Sequence, residues 1–451
     1  MSQDVHQGLG RRMKLAIVGS GISGLAAAHT LKDHADITVF EAGDYFGGHT
    51  HTVDVTLPTP QGPLTHGVDT GFLVFNERTY PNLINLFAEL QVETAASDMS
   101  FSVKVPGARN GKTLEWSGTD LNSVFAQRGN LVNPRFWRML ADVMRFNALC
   151  TRIAKDQREK ELQQPLSDFL RTHKFSEPFR DWYFLPMLGC IWSCPTDQML
   201  QFPVATMIRF CHNHGLIQVT NRPQWFSVVG GAKHYVDKIL ANIPDKRLNT
   251  PVRLIERDQQ GVRIITDGHA ERFDQVVIAT HTDQALSILR EPSAEERSLL
   301  GAIRYQDNRA VLHTDASVLP ANPKTWAAWN YERAASSERE SSRVCLHYLL
   351  NRLQRIPFEQ PVVVSLNPLQ AIDPATIVGE YDYAHPVFDL AAIEAQKRLP
   401  LLQGQQHTWY AGAWTGYGFH EDGLKSGLQV GRALLKQIHE QAHPVQDKLA
   451  A

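Results

Sequence analysis

The chain has 451 residues, 43% hydrophobic and 20% charged, with a formal net charge of −2. That length exceeds one ordinary hydrophobic core and predicts two or three structural units. The balanced charge removes the electrostatic footprint of a nucleic-acid binder, and no run of 18 apolar residues is present to span a bilayer. Five cysteines (Cys150, Cys190, Cys194, Cys211, Cys345) form an odd, sparse set without extracellular disulfide spacing. Cys190 and Cys194 lack a second Cys or His pair at metal-site spacing, so no metal is expected. Residues 1–12 are polar and carry no apolar signal segment, and a cytoplasmic location is predicted. The stretches 1–12 and 441–451 read as flexible tails.

Taken in chain order, residues 15–18 (Leu-Ala-Ile-Val) suit a short buried strand. Gly19, Gly21 and Gly24 follow as G-x-G-x-x-G at the turn into a helix of small and apolar residues, and a second strand at 37–40 ends on Glu41. Gly19 permits the tight turn, Gly21 lets a pyrophosphate approach the backbone, and Gly24 lets helix and strand pack closely. The helix N-terminus offers free N–H groups to the phosphates, and Glu41 is placed to accept hydrogen bonds from a ribose. A chance Gly-rich turn would lack the second strand and its terminal acid, so the unit reads as dinucleotide-binding.

Further strands are predicted at 51–57, 65–74 and 100–105, with a helix between at 80–90. Residues 134–215 are helical, aromatic and poor in strands, as an inserted helical domain would be. Dinucleotide-fold character returns with a strand at 225–229, Gly230-Gly231, a helix from about 232, and strands at 252–256, 262–266 and 273–279. Strands at 309–314, 326–331, 343–350 and 362–366 follow, with a polar loop at 334–342. A last strand at 408–411 leads through a Gly-rich turn into a helix at 424–439.

The expected fold class is α/β: a discontinuous, mostly parallel Rossmann-like cofactor domain (13–80, 220–290 and 405–440) and a substrate domain of mixed sheet plus helical insert (81–219 and 291–404). A simple nicotinamide dehydrogenase carries its cofactor domain in one block. A chain that returns to it twice and ends in a helix behind a Gly-rich turn points to a flavin. That helix could set its partial positive charge against the pyrimidine end of an isoalloxazine. Close helix packing is the plainer use of Gly423 to Gly431, and both can hold.

These motifs, in this order over essentially the whole chain, resemble the flavin-containing amine oxidase superfamily, which includes monoamine oxidases, phytoene desaturases and protoporphyrinogen oxidases. The stretches 69–76, 97–101, 191–195, 222–225 and 416–427 more narrowly resemble a bacterial subgroup of predicted NAD/FAD-binding proteins. Those motifs are similar to the N-terminal region of plant cyclopropane fatty acid synthases and to desaturases of furan fatty acid formation. The resemblance implies FAD, with Gly19, Gly21, Ser23 and Gly24 at its pyrophosphate and Glu41 at its ribose. It also implies Gly48 near the phosphates, the Val252 backbone at the adenine, and Asp422, Gly423 and Leu424 facing the flavin ring. His49 stands where the superfamily commonly has Arg beside the phosphates, and Ala413-Trp414 replaces a common acid. The C-terminal region has no cysteine for a covalent linkage, so non-covalent FAD is expected.

Flavin oxidation needs a substrate C–H near flavin N5 and a place for a proton. His420, Glu421 and Tyr417 are the candidate catalytic residues, and Tyr417 and Trp414 could line the flavin face. The plainer uses are a hydrogen-bonded His420, a helix-start Glu421 and pocket-filling rings. His313 and His347, on alternating strands, read as sheet histidines. The aromatic cluster at 182–192 reads as helix core whose excess suits an apolar tunnel. The activity expected is removal of hydride from a C–H bond of an apolar substrate, with a methylated or unsaturated lipid acyl chain as the substrate class. An FAD-dependent amine oxidase is the alternative, and a non-catalytic flavoprotein module the third reading. The expected partners are a small-molecule or lipid acyl substrate and no nucleic acid. The helix at 136–155, with Arg135, Arg138, Arg145, Arg152 and Lys155, offers a face for peripheral contact with the inner membrane surface. Packing on the core is its plainer use.

Overall fold

The computed structural model describes residues 11–109, 111–157, 162, 164–192, 195–218, 222–334 and 344–442. Most of both expected tails, Ser193, Cys194 and residues 335–342 of the expected loop at 334–342 lie outside these residues.

A five-stranded parallel sheet has the order Asp245–Arg247, Ala35–Phe40, Met13–Val18, Gln275–Ile278, Thr408–Tyr410. Its three central strands, Ala35–Phe40, Met13–Val18 and Gln275–Ile278, are largely buried on both faces, as a sheet covered on both sides requires. On one face Leu15, Ile17 and Val277 pack with Ala27, Ala28, Val430 and Leu434 of two helices, Ile22–Leu31 and His420–Ala442. On the other, Ala16, Val18 and Val276 pack with Ile255 and Ile264 of a three-stranded antiparallel sheet and with Leu299 and Leu300. The two helices meet along small residues. A Cβ at Gly427 would strike the Ser23 carbonyl oxygen, and one at Gly431 would lie 2.7 Å from Thr30 Cβ.

A seven-stranded mixed sheet forms the second layer system, in the order Ile377–Val387, Arg304–His313, Val363–Leu366, Cys345–Leu349, Trp329–Glu332, Phe101–Arg109, Lys112–Ser117. Only the Trp329–Glu332 and Phe101–Arg109 pair runs parallel. One face carries a buried polar row. His347 bonds Glu332 at 3.2 Å and Ser365 at 2.7 Å, and Ser365 bonds His313 at 2.7 Å. The Lys104 ammonium lies 2.9 Å from Glu332, and Cys345, Glu332 and His347 bring their ligand-capable atoms within 4.8 Å of one another. On the other face Tyr331, Leu346, Val364 and Leu366 join a core shared with Phe136, Phe146, Trp182 and Phe210 of the helical insert.

The insert opens with Pro134–Lys155, where Asn133 caps the helix by accepting the Arg135 N–H at 3.1 Å and Pro134 takes the first turn. Phe136, Met139, Phe146 and Cys150 of this helix face the core. The described residues contain no helix long and apolar enough to cross a membrane.

Several element boundaries differ from the sequence expectation, among them the following three. The run at 273–279 divides into His269–Phe273 and Gln275–Ile278, because Asp274 turns out to bond the Lys14 backbone in both directions. The strand expected over 65–74 is Gly62–Asp69, with Phe75–Asn76 in another sheet. The last helix starts at His420, four residues before the expected 424.

Candidate active site

A cavity of about 700 Å³ runs from the carboxyl edge of the parallel sheet to the helical insert. At the sheet end, Gly19 sits at φ +100°, and a Cβ there would lie 2.8 Å from the Ala279 carbonyl oxygen. A Cβ at Gly24 would strike the Gly19 carbonyl oxygen, which holds helix Ile22–Leu31 tight on the sheet. Gly21 is the N-cap of that helix and has nothing within 4 Å of its Cβ direction, leaving an open cradle before the helix N–H groups. Gly48, at φ +58°, closes against it, its Cβ position 3.2 Å from Gly21 Cα. The Glu41 carboxylate accepts the Ser20 N–H at 3.0 Å, the Ser20 hydroxyl at 2.5 Å and the Gly43 N–H at 2.9 Å. Gly19, Gly21, Ser23, Glu41, Gly48, His49 and Val252 all line the cavity.

The Gly-rich turn forms the next part of the wall. Trp414 lines it and donates its indole N–H to the Thr280 carbonyl at 3.1 Å, tying the turn to the end of strand Gln275–Ile278. Asp422 accepts the N–H groups of Tyr417 and Phe419, both at 3.0 Å, and burial raises its pKa to about 6. The acid thereby fixes the turn that presents Tyr417, Phe419 and His420 to the cavity. His420 stacks on Phe72 with centroids 3.8 Å apart, and its Nε2 lies 2.8 Å from the Tyr235 hydroxyl. Burial pushes its pKa down to about 3, so the ring is neutral near pH 7.

Several expected site residues lie elsewhere. Glu421 points away from the cavity and accepts N–H bonds from Asn82 and Leu83 at the start of helix Pro81–Glu89, so it is a cap and no candidate base. Gly423 and Leu424 do not face the cavity either. A Cβ at Gly423 would lie 2.8 Å from Ile22 Cγ2, and Leu424 is buried among Ile22, Leu25 and Ala26. Asp422 acts on the turn and lines no part of the cavity. The reason is the early helix start: with His420 in the first turn, residues 423 and 424 rotate onto the neighbouring helix.

Other residues take part that the sequence reading passed over. His281, Tyr383 and His385 meet the expected His49 on the wall, their ring centroids 6.2, 5.0 and 5.5 Å from that of His49. Burial lowers the pKa of His49 well below the ordinary value and that of His385 to about 4. Tyr383 and His385 come from strand Ile377–Val387, whose alternation was the available signal: Tyr381, Tyr383 and His385 on one side, Glu380 and Asp382 on the other.

These residues fit a flavin dinucleotide. The cradle at Gly21 faces helix N–H groups, the Glu41 carboxylate stands beyond the second strand, and His49 Nε2 is buried without a hydrogen-bond partner on the cavity wall.

Comparison with known proteins agrees with the geometry. The family model for flavin containing amine oxidoreductases matches residues 22–315. Among solved structures, a CLA-producing fatty acid isomerase from P. acnes is similar at a TM-score of 0.65 and 16% identity, with 94% of this chain and 99% of that one covered. Cyclohexylamine oxidase from Brevibacterium oxydans matches at 0.65 and 18%, covering 95% and 100%. A putrescine oxidase bound to putrescine matches at 0.64 and 15%, covering 94% and 99%. The chain belongs to the flavin containing amine oxidoreductase family and is an FAD-dependent oxidoreductase.

Proposed function

We propose that this oxidoreductase removes hydride from a C–H bond of a long apolar substrate, a methylated or unsaturated lipid acyl chain, while the adjacent carbon loses a proton to water, leaving a new double bond. The observation that carries the reading is the make-up of the cavity. Beyond Tyr417 its wall holds Met99, Phe101, Met187, Ile191, Trp192 and Leu366, and Glu41 is the only Asp, Glu, Lys or Arg among its described lining residues. Each methylene buried there contributes about 0.8 kcal/mol. An ammonium group would lose its hydration with no carboxylate to meet it.

Bound FAD supplies a two-electron acceptor for the hydride. The chain's own residues bind and orient. Glu41 and the helix start at Ile22 hold the dinucleotide, and the Asp422-braced turn sets the rings of Tyr417 and Phe419 where the apolar lobe begins. His420, neutral and fixed by Tyr235 and Phe72, is an orienting group rather than a proton store at neutral pH.

The test is anaerobic reduction of the bound flavin by a panel of compounds. Lipids carrying methylated unsaturated chains are expected to bleach it and to gain one double bond by mass spectrometry. Rapid bleaching by cyclohexylamine or putrescine, with none by those lipids, overturns the reading in favour of amine oxidation.

A further inference from the structure

We infer that the outer face of helix Pro134–Lys155, with the loop before it, is a docking surface for an anionic phospholipid bilayer. The inference deepens the acyl-chain reading by giving the substrate a route to the cavity. The helix is amphipathic in an unusual sense. Its inward side is spent on the core through Phe136, Met139 and Phe146, yet its outward side is not simply polar. Trp137 is 49% exposed and Met144 57%, while Leu131 and Val132 in the preceding turn are 48% and 85% exposed. The Trp137 indole donates to the Leu131 carbonyl at 2.8 Å, which fixes the loop and the helix as one apolar ridge.

Cations flank that ridge. Arg138, Arg145 and Arg152 recur every seventh residue and so share one edge of the helix. The only acid between residues 131 and 155 is Asp142, which is buried and shared by Arg138 at 3.3 Å and Arg145 at 3.1 Å. Arg152 and Lys155 have no acidic partner among the described residues. Arg145 and Arg152 also line a groove of about 390 Å³ with Leu149, His173 and Phe175, where a phosphate headgroup would meet two guanidinium groups above an apolar floor. Exposed Trp and aliphatic side chains beside Arg152 and Lys155, with the one acid of the stretch buried beneath Arg138 and Arg145, complement a negative lipid surface with an apolar interior. The buried side of the same helix packs into the core that contains Met187, Trp192 and Phe210, which line the cavity. Docking therefore brings the apolar lobe to within one helix layer of the bilayer.

The experiment is co-sedimentation of the FAD-loaded protein with vesicles of phosphatidylcholine alone or with 30% phosphatidylglycerol, at about 50 and 500 mM salt. Binding is expected with the anionic vesicles at low salt and is expected to weaken at high salt. The double variant Arg152→Glu/Lys155→Glu should weaken it by roughly tenfold or more, and Val132→Asp/Met144→Asp by a similar factor. Both should keep the melting temperature and flavin content of the parent. No binding to anionic vesicles at low salt, or equal binding by both variants, overturns the inference. So does sedimentation of the parent as a dimer that Val132→Asp/Met144→Asp converts to a monomer, because a second copy would then cover the ridge. Because vesicle binding is read without turnover, its failure leaves the acyl-chain reading to stand or fall on flavin reduction by soluble substrates.

Discussion

The Glu421 carboxylate accepts the backbone N–H groups of Asn82 and Leu83, each at 3.0 Å, and the Asn82 side-chain amide at 2.6 Å. An acid on the C-terminal helix thus caps the start of helix Pro81–Glu89, whose own N-cap residue, Tyr80, makes no side-chain capping bond. Glu421→Ala is expected to lower stability by about 1–3 kcal/mol, since it strands buried donors. The rate at which substrate reduces the bound flavin should not change. Thermal melting and stopped-flow reduction check the two halves separately, and a collapse of the rate in a stable variant would return Glu421 to the chemistry.

Glu41 and Ser20 make the second test. Glu41→Ala removes an acceptor that serves Ser20 and Gly43 and stands at the dinucleotide end of the cavity. Its FAD dissociation constant should rise about tenfold or more, in keeping with the loss of charge-assisted bonds. Equilibrium dialysis against free FAD measures it. Acid precipitation of the parent protein should leave the yellow flavin in the supernatant, and colour retained in the pellet would show a covalent link.

The contact between the first and last helices predicts a coupling between folding and colour. A Cβ at Gly427 meets the Ser23 carbonyl oxygen, a backbone atom that cannot swing aside. Gly427→Ala should therefore cost about 1–3 kcal/mol of stability by overpacking. The same shift moves the fingerprint helix, so flavin content should fall with it. A variant that melts normally and stays fully yellow would show that the helices can part without disturbing the cradle.

The fingerprint was legible because each of its parts is local: a strand, three spaced glycines, a helix and an acid within 27 positions of Leu15. The roles of the Gly-rich turn were less legible. Asp422, Gly423 and Leu424 sit beside a flavin-facing turn in sequence, but a helix rotates about 100° per residue, and a start four positions early redirects all three. The mixed sheet was harder still. Phe101–Arg109 pairs with Trp329–Glu332 across more than 200 residues, and no local pattern encodes such a partner choice. Strand Ile377–Val387 did carry a period-2 signal, interrupted by Gly379 and Pro386, and with it went the two residues Tyr383 and His385.

Buried histidines set the pH dependence. Burial lowers His214, His313 and His385 to about 4 and His420 to about 3. Such a group charges in the unfolded chain first, so its stabilisation is present above about pH 6.5 and is lost as pH falls toward 4. Asp69 and Asp422, both raised to about 6 by burial, act in the opposite sense, gaining stability between about pH 6 and 4. Burial also lowers His49, His51, His173 and His281 and raises Glu421, so eight imidazoles stand against three carboxylates among the described residues and the net sign is negative on acidification. The denaturant midpoint should fall between pH 7 and 5, and His420→Gln should flatten that slope. A midpoint that rises over this interval would show that the carboxylates dominate.

The outermost strand of the parallel sheet, Thr408–Tyr410, arrives more than 120 residues after its neighbour Gln275–Ile278 and is followed at once by the turn that walls the cavity. During synthesis, a chain of 400 residues already owns the glycine cradle and Glu41 but has neither that edge nor the helix that clamps Ile22–Leu31. FAD captured at that stage would be held by one end alone. Tight retention therefore waits until residues 408–442 have been made, and ribosome-arrested chains released before residue 408 should emerge colourless in the presence of abundant FAD.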